Sequence, residues 1–329
     1  KTTGRRRVML RENQSITAAQ IEPFLDALDA KSPATTETHR RTLRPFFEYA
    51  TARGLSRFTR QDIRDYRDAL QAKNLSAATI GSYMSSVRKF FAYLELSNLH
   101  DDVSKYVRSV QTDGTHKKKS FFSEDEVATL LQSIPTDDEK GKRNYAMIYL
   151  SVTTGLLGIE MSRAKIEDLK ILDGKPVLFV QGKGCQDKNN YVLLPEKVLE
   201  RIEAYLAERE TAPDDAALFS SLRGKEPREA LKPREIRNCI KACIMQSGIK
   251  GAEDKSVQSL RHTAALIALK HQEGIEDVNR HMRHKTIDST SVYMIHAEKL
   301  SNTCSHTVAH AIATANPDLS PPKNQKAPP

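Results

Sequence analysis

Apolar side chains recur at three- and four-residue spacing almost without interruption from residue 15 to about residue 110. This spacing places them on one face of a helix, and Gly54 marks one of the breaks between segments. Thr59 and Ser76 precede two of the segments and are suited to cap them. Residues 15–110 are therefore predicted to form a compact all-α bundle. Its four helices are expected at about residues 21–28, 36–53, 60–70 and 77–94.

The pattern changes after a polar, basic stretch at residues 111–120, which is typical of an interdomain linker. Ser123 and Glu126 then form a capping-box pair that begins a new helix. Short β-rich runs flank polar turns further along, and residues after Pro195 return to helical periodicity. The second domain is thus predicted to be mixed α/β with a small three-stranded antiparallel sheet. Its strands are expected at residues 171–172, 176–180 and 191–194.

The two ends of the chain have a different composition from these domains. Residues 1–14 carry five Lys and Arg side chains without apolar periodicity, and we interpret them as a basic arm. The second domain is expected to span residues 121–313. Residues 314–329 contain five prolines among polar residues, which predicts a disordered tail.

The charge balance indicates what the chain binds. Lys plus Arg number 51 against 42 Asp plus Glu, which gives a net charge of +9. Nucleic acid is the partner class that this excess favours, the alternative being a merely basic enzyme. No apolar run is long enough for a membrane span, and the four cysteines lack the spacing of a disulfide framework. We therefore expect a cytoplasmic protein without membrane contact.

Basic side chains on the predicted outer faces of the helical bundle and in the linker are candidates for phosphate contacts. A solvated helix surface is the alternative interpretation of the same residues. The candidates are Arg40, Arg41, Arg44, Lys73, Arg88, Lys89, Lys117, Lys118 and Lys119.

Four short motifs in the second domain carry the most specific information. They are Thr154-Gly155-Leu156-Leu157 with Glu160, then Gly182-Lys183-Gly184, then Gln258-Ser259-Leu260-Arg261-His262, and finally His284 with Tyr293 nine residues later. In order and spacing they resemble the tyrosine recombinase family, which includes phage-like and transposon integrases. The resemblance extends over about residues 15–310. It implies a SAM-like core-binding domain followed by a catalytic domain.

The resemblance also assigns roles to these residues. Tyr293 matches the nucleophile, a phenol that stores the phosphate as an ester and needs a base or an electropositive setting. Arg261 matches a catalytic arginine whose planar fork suits a phosphate. Lys183 matches the general acid in the hairpin, with Lys188 as the competitor. His284 matches a phosphate-binding histidine. Glu160 and His262 are expected in supporting roles.

Three positions depart from the family pattern, two of them at catalytic positions. Leu157 stands where the family has its first catalytic arginine, and Gln258 stands where it has histidine or lysine. Arg283 stands where it often has glycine. Losing one donor to a developing oxyanion costs about 10²–10³ in rate. A neighbouring arginine, Arg143 or Arg163, could supply the missing charge. Otherwise the chain binds DNA but cuts it poorly, or the alignment of the first motif is shifted.

The resemblance implies a site-specific recombinase that cuts and rejoins duplex DNA through a 3′-phosphotyrosine, without metal or other cofactor. It also implies two domains clamped around DNA and synapsis by four protomers. The helix near residues 300–313 would pack on a neighbouring protomer, and DNA-bending accessory proteins are possible partners. The place of action would be the nucleoid. The alternatives are a catalytically impaired DNA-binding protein of the same fold and a type IB topoisomerase.

Overall fold

The computed structural model describes residues 13–28, 33–110, 120–182, 184–209, 212–222, 228–298, 307–308, 311–312 and 314. Contacts between residues divide the chain into two compact units, residues 1–118 and 119–329. Several predicted parts of the chain lie outside the described residues. They are the basic arm up to residue 12, the linker to residue 119 with its three lysines, Lys183, and the tail from residue 315.

The first unit contains the four predicted helices. Thr59 begins α3 with a capping box, in which its hydroxyl accepts from Asp62 N–H and the Asp62 carboxylate accepts from Thr59 N–H at 2.7 Å. Ser76 caps α4 by accepting from Thr79 N–H. The helices are α1 (Ile21–Ala27), α2 (Pro33–Ala52), α3 (Arg60–Ala72) and α4 (Ala77–Leu96).

Aromatic side chains fill the centre of this bundle. Phe46 on α2 contacts Tyr66 on α3 and Phe91 on α4, edge to face, with ring centroids 5.1 and 5.9 Å apart. Phe24 on α1 meets Phe90 at 5.4 Å. All five side chains are buried. The apolar faces predicted from periodicity therefore meet in one core.

Within the described residues, the second unit contains eight helices and a small sheet. Helix α6 lies at its centre and packs against α8 and α10, and α10 also packs against α12. The helices are α5 (Glu124–Gln132), α6 (Glu139–Thr154), α7 (Gly158–Arg163), α8 (Glu196–Leu206), α9 (Pro233–Gln246), α10 (Val257–Lys270), α11 (Ile275–His281) and α12 (Asp288–Glu298).

The sheet has three antiparallel strands in sequence order, β1 (Leu169–Leu172), β2 (Lys175–Val180) and β3 (Asn190–Leu193). The β1–β2 turn is Asp173-Gly174, both with positive φ, as a tight hairpin requires. The predicted fold class, an α-rich chain with an all-α bundle and a mixed domain with this sheet, is confirmed. Every helix within the described ranges is too short or too polar to cross a membrane.

Candidate active site

Tyr293 lies on α12 and is buried, with 3% of the residue exposed. It packs with Ala264 and Ala265 of α10 and with Met282, which follows α11. The ring of Phe121 meets it edge to face at 6.5 Å. Three helices and the segment before α5 thus fix the position of this phenol.

The hydroxyl of Tyr293 lies 2.6 Å from Nδ1 of His262, on the adjacent helix α10. Burial raises the pKa of the Tyr293 phenol above its usual value, and the nearby positive charge of Arg261 opposes this shift. The phenol is therefore protonated at neutral pH. It lies within hydrogen-bonding distance of an imidazole, which is the arrangement of a nucleophile and its base.

His284 is oriented by a chain of hydrogen bonds. The Thr290 hydroxyl donates to Asn279 Oδ1 at 2.8 Å, and His284 Nδ1 lies 2.8 Å from the same hydroxyl. A hydroxyl has one proton, so His284 Nδ1 is the donor and carries hydrogen. The neutral ring then has its lone pair on Nε2. This ring lies nearly parallel to that of Tyr293, with centroids 6.2 Å apart.

Arg261 connects three segments of the site. Its guanidinium donates to the carbonyl of Gly155 at the end of α6 and to the carbonyl of Met282. Gly155 ends α6 in the left-handed conformation, with φ of 63°. Burial lowers the pKa of Arg261 to about 10, and the positive charge of Arg283 adds to this shift. Arg261 therefore remains charged at neutral pH.

Leu157 is the N-cap of α7, and its N–H donates to the carboxylate of Glu160 at 2.7 Å. Glu160 is buried, with 3% of its side chain exposed. A buried carboxylate requires a positive partner, which leucine cannot provide.

That partner is Arg283, which pairs with Glu160 Oε2 at 3.1 Å and has 12% of its side chain exposed. Arg283 has a φ of 54°, a backbone conformation that glycine adopts more easily. Its guanidinium also donates to the carbonyls of Thr154 at 3.3 Å and Gly155 at 3.5 Å. Arg261 and Arg283 thus share the Gly155 carbonyl.

The two arginines considered from sequence as replacements have other partners. Arg143 is buried and donates to the carbonyl of Ser220 at 2.7 Å and to Asn144 Oδ1. Arg163 donates to the carbonyl of Gly182 at 3.3 Å, at the end of the hairpin. Neither contact joins these arginines to Glu160 or Gly155.

The hairpin and α10 hold the other candidates. Lys188 pairs with the buried carboxylate of Asp168 at 2.5 Å, so the competitor of Lys183 is held by this ion pair where the β2–β3 loop meets β3. Gln258 is exposed in the first turn of α10. Within the described residues, no group of three His, Cys, Asp or Glu side chains has an arrangement that could hold a metal ion.

The candidate phosphate-binding residues of the bundle are exposed. Two of them already have carboxylate partners, because Arg40 pairs with Glu22 and Arg44 pairs with Glu48. A phosphate has to compete with these carboxylates. The exposed candidates are Arg40, Arg41, Arg44, Lys73, Arg88 and Lys89.

Comparison with known proteins places this arrangement in a family. The model of the phage integrase family matches residues 120–299, and that of the phage integrase N-terminal SAM-like domain matches residues 21–98. The chain belongs to the phage integrase family. The resemblance to tyrosine recombinases predicted from the four motifs is thereby confirmed, and with it the class of enzyme.

Relatives in this family support the assignment over most of the chain. A tyrosine recombinase XerD of Listeria monocytogenes (strain F2365) is 28% identical over 294 residues, covering 85% of this chain and 94% of that protein. The XerH recombinase in a post-cleavage complex with its palindromic difH DNA has a similar fold. Its TM-score is 0.71 at 20% identity, over 89% of this chain and 84% of that one. The lambda integrase tetramer bound to a Holliday junction has a TM-score of 0.65 at 16% sequence identity. The match covers 86% of this chain and 78% of that one.

Reasoning from sequence did not find the contact partners of Arg283. One signal was available, because the chain that lacks an arginine at position 157 has one at position 283, where the family often has glycine. His262 and Tyr293 were each selected from the sequence, but the contact between them was not predicted. The hydrogen bonds that link Asn279, Thr290 and His284 could not be predicted from the sequence, since asparagine and threonine are common on helix surfaces.

Proposed function

We propose that this chain is a site-specific recombinase that cuts and rejoins duplex DNA through a 3′-phosphotyrosine on Tyr293. The observation that carries the proposal is the 2.6 Å contact between the Tyr293 hydroxyl and His262 Nδ1, beside Arg261 and His284. A phenol that is close to an imidazole and near a charged arginine suits attack on a phosphodiester.

In the cutting step, the Tyr293 oxygen forms a bond to the scissile phosphorus and the bond from phosphorus to the 5′-oxygen breaks. The phenol proton passes to Nδ1 of His262. The departing 5′-oxygen takes a proton, which we assign to Lys183 in the β2–β3 hairpin. The reverse reaction with another 5′-hydroxyl rejoins DNA, and the ester conserves the bond energy between the two steps.

Arg261 and His284 are the residues that we assign to the charge on the phosphate. Arg261 keeps its positive charge at neutral pH and is suited to the developing negative charge on the non-bridging oxygens. Because Nδ1 of His284 donates to Thr290, a phosphate is bound by Nε2. That atom donates a hydrogen bond only when the imidazole is doubly protonated.

Duplex DNA is the proposed substrate, and the excess of 51 basic over 42 acidic residues supports it. Contacts to phosphates release counterions, so affinity should fall steeply with salt. We propose that four protomers join two sites on DNA, as in the lambda integrase tetramer bound to a Holliday junction. Acting on DNA places the protein at the nucleoid, where DNA-bending proteins can assist.

The test uses a duplex selected from a random-sequence pool for binding to this chain. Copies with a nick stepped along one strand trap any covalent adduct, because the short strand diffuses away after cutting. Denaturing gels then compare the unmodified chain with Tyr293→Phe. The proposal predicts an adduct that is lost in Tyr293→Phe, and no adduct at any nick position would refute it.

A second candidate is a DNA-binding protein that does not cut, as the departures at Leu157 and Gln258 favour. Leucine cannot bind a phosphate oxygen, and glutamine cannot exchange a proton near neutral pH. This candidate predicts an adduct only from the double variant Leu157→Arg/Gln258→His.

A further inference from the structure

The missing arginine leaves a specific electrostatic requirement in the site. The buried carboxylate of Glu160 lies in the first turn of α7, where it accepts the N–H of Leu157 at 2.7 Å. Without a cation this charge would be costly to keep away from water. An arginine at position 157 would be close enough to provide one, and leucine provides none.

Arg283, in the segment that follows α11, meets this requirement. It reaches Glu160 across 123 residues of sequence, and its five N–H groups all have acceptors. Nε and Nη2 donate to the two Glu160 oxygens at 3.5 and 3.1 Å, and Nη2 also donates to Gly155 at 3.5 Å. Nη1 donates to the carbonyls of Thr154 at 3.3 Å and His281 at 2.9 Å.

This use of all five donors determines how Arg283 can act. It has no N–H left for a phosphate in this arrangement, so it is not a direct ligand of the substrate. It shares the Gly155 carbonyl with Arg261 and places a second positive charge beside it, which contributes to lowering the pKa of Arg261. Arg283 therefore acts through the position of Arg261 and through its own charge.

We propose that Arg283 replaces the arginine missing at position 157, as a positioning residue for the proposed DNA-cleavage reaction. It neutralises Glu160, fixes the Gly155 carbonyl that holds Arg261, and supplies the second positive charge of the site. This inference rests on the proposed function and explains how Leu157 is compatible with cleavage. Arg143 and Arg163 do not take this role, since their guanidinium groups donate to Ser220 and Gly182 instead.

Three variants separate the parts of this role. Arg283→Met keeps an unbranched side chain but removes the guanidinium, with its charge and its five N–H donors. Arg283→Gly combined with Leu157→Arg moves the arginine to the other side of Glu160. Arg280→Met is the matched control, because Arg280 is three residues away, 72% exposed, and paired with Asp277 on the surface.

The measurement is the single-turnover rate of covalent adduct formation on the selected nicked duplex, at protein concentrations that saturate binding. Binding affinity for the same duplex is measured separately. We expect Arg283→Met to lower the rate about 100-fold, as for a displacement of a catalytic group by about 1 Å, with little change in affinity. Arg280→Met should keep the full rate, and the relocated arginine should restore most of it.

A second substrate distinguishes charge from simple loss of structure. A duplex with a neutral methylphosphonate at the cutting position needs less positive charge, so Arg283→Met should lose much less rate on it. An equal loss on both substrates would overturn the inference, as would an unchanged rate on the normal duplex. An adduct from the relocated arginine but not from the unmodified chain would also overturn it. No adduct from either chain, with DNA binding intact, would instead refute the proposed function.

Discussion

Replacing Gly155 by alanine should destabilise the second unit because two independent features of the structure oppose a side chain there. Gly155 ends α6 at φ of 63°, in the left-handed region. An added Cβ would lie 2.8 Å from Met282 Sδ, and Met282 is fully buried. The atoms contacted, Met282 Sδ and Cε, are the end of a flexible side chain, so Met282 has to shift within the buried core.

The magnitude follows from adding these two effects. An alanine in the left-handed conformation costs about 1–2 kcal/mol. Overpacking a buried site costs about 1–3 kcal/mol. The free energy of unfolding should therefore fall by roughly 2–5 kcal/mol. Gly158 is the matched control, because its added Cβ would have its nearest neighbour, the Pro233 carbonyl, at 3.9 Å.

Urea unfolding followed by far-ultraviolet circular dichroism measures this effect in the full chain, which has no tryptophan. The Gly81→Ala variant identifies the transition of the first unit. Gly81 lies within α4 with its nearest contact at 3.8 Å, so alanine there should stabilise by about 0.5–1 kcal/mol. If Gly155→Ala were no less stable than Gly158→Ala, the reasoning about backbone strain and packing would be wrong.

Three further predictions concern titratable and polar groups. The Tyr66 hydroxyl is buried without a hydrogen-bond partner among the described residues, so Tyr66→Phe should raise the urea midpoint of the first unit or leave it unchanged. Burial, followed by the charge of Lys89, lowers the pKa of His39. Stability should then fall as the pH drops below about 6.5, by up to about 1.4 kcal/mol per pH unit, and His39→Gln should remove this dependence. Burial raises the pKa of Tyr293, so the ultraviolet difference spectrum against Tyr293→Phe should show a phenol that ionises above about pH 10. Its contribution to stability is present below that pH and is lost as the pH rises through the folded-state pKa.

The local elements followed from the sequence because their causes are local. Helical periodicity and the caps at Thr59 and Ser76 depend on residues within one or two turns of each other. The Asp173-Gly174 turn fixes the first hairpin for the same reason. Four motifs in the expected order were enough to indicate the family. The match of the phage integrase model to residues 120–299 then confirmed it.

The roles of single residues within the motifs depended on more than their spacing. The sequence selected Tyr293, Arg261 and His284 for the site, and the structure brings all three together. It also selected Arg143 and Arg163 by their nearness in sequence to Leu157. That criterion failed because α6 and α7 direct these arginines to Ser220 and Gly182.

The sequence by itself determined the helices, the strands, the division into two domains and the type of chemistry, because periodicity, capping and motif order act over short distances. Only the tertiary structure decided that Glu160 is paired with Arg283 and that Arg261 holds Gly155. These partners are 123 and 106 residues apart in sequence. The physical reason is that a buried charge takes whichever partner the packing of α6, α7 and α11 brings within reach, and sequence spacing does not specify that distance.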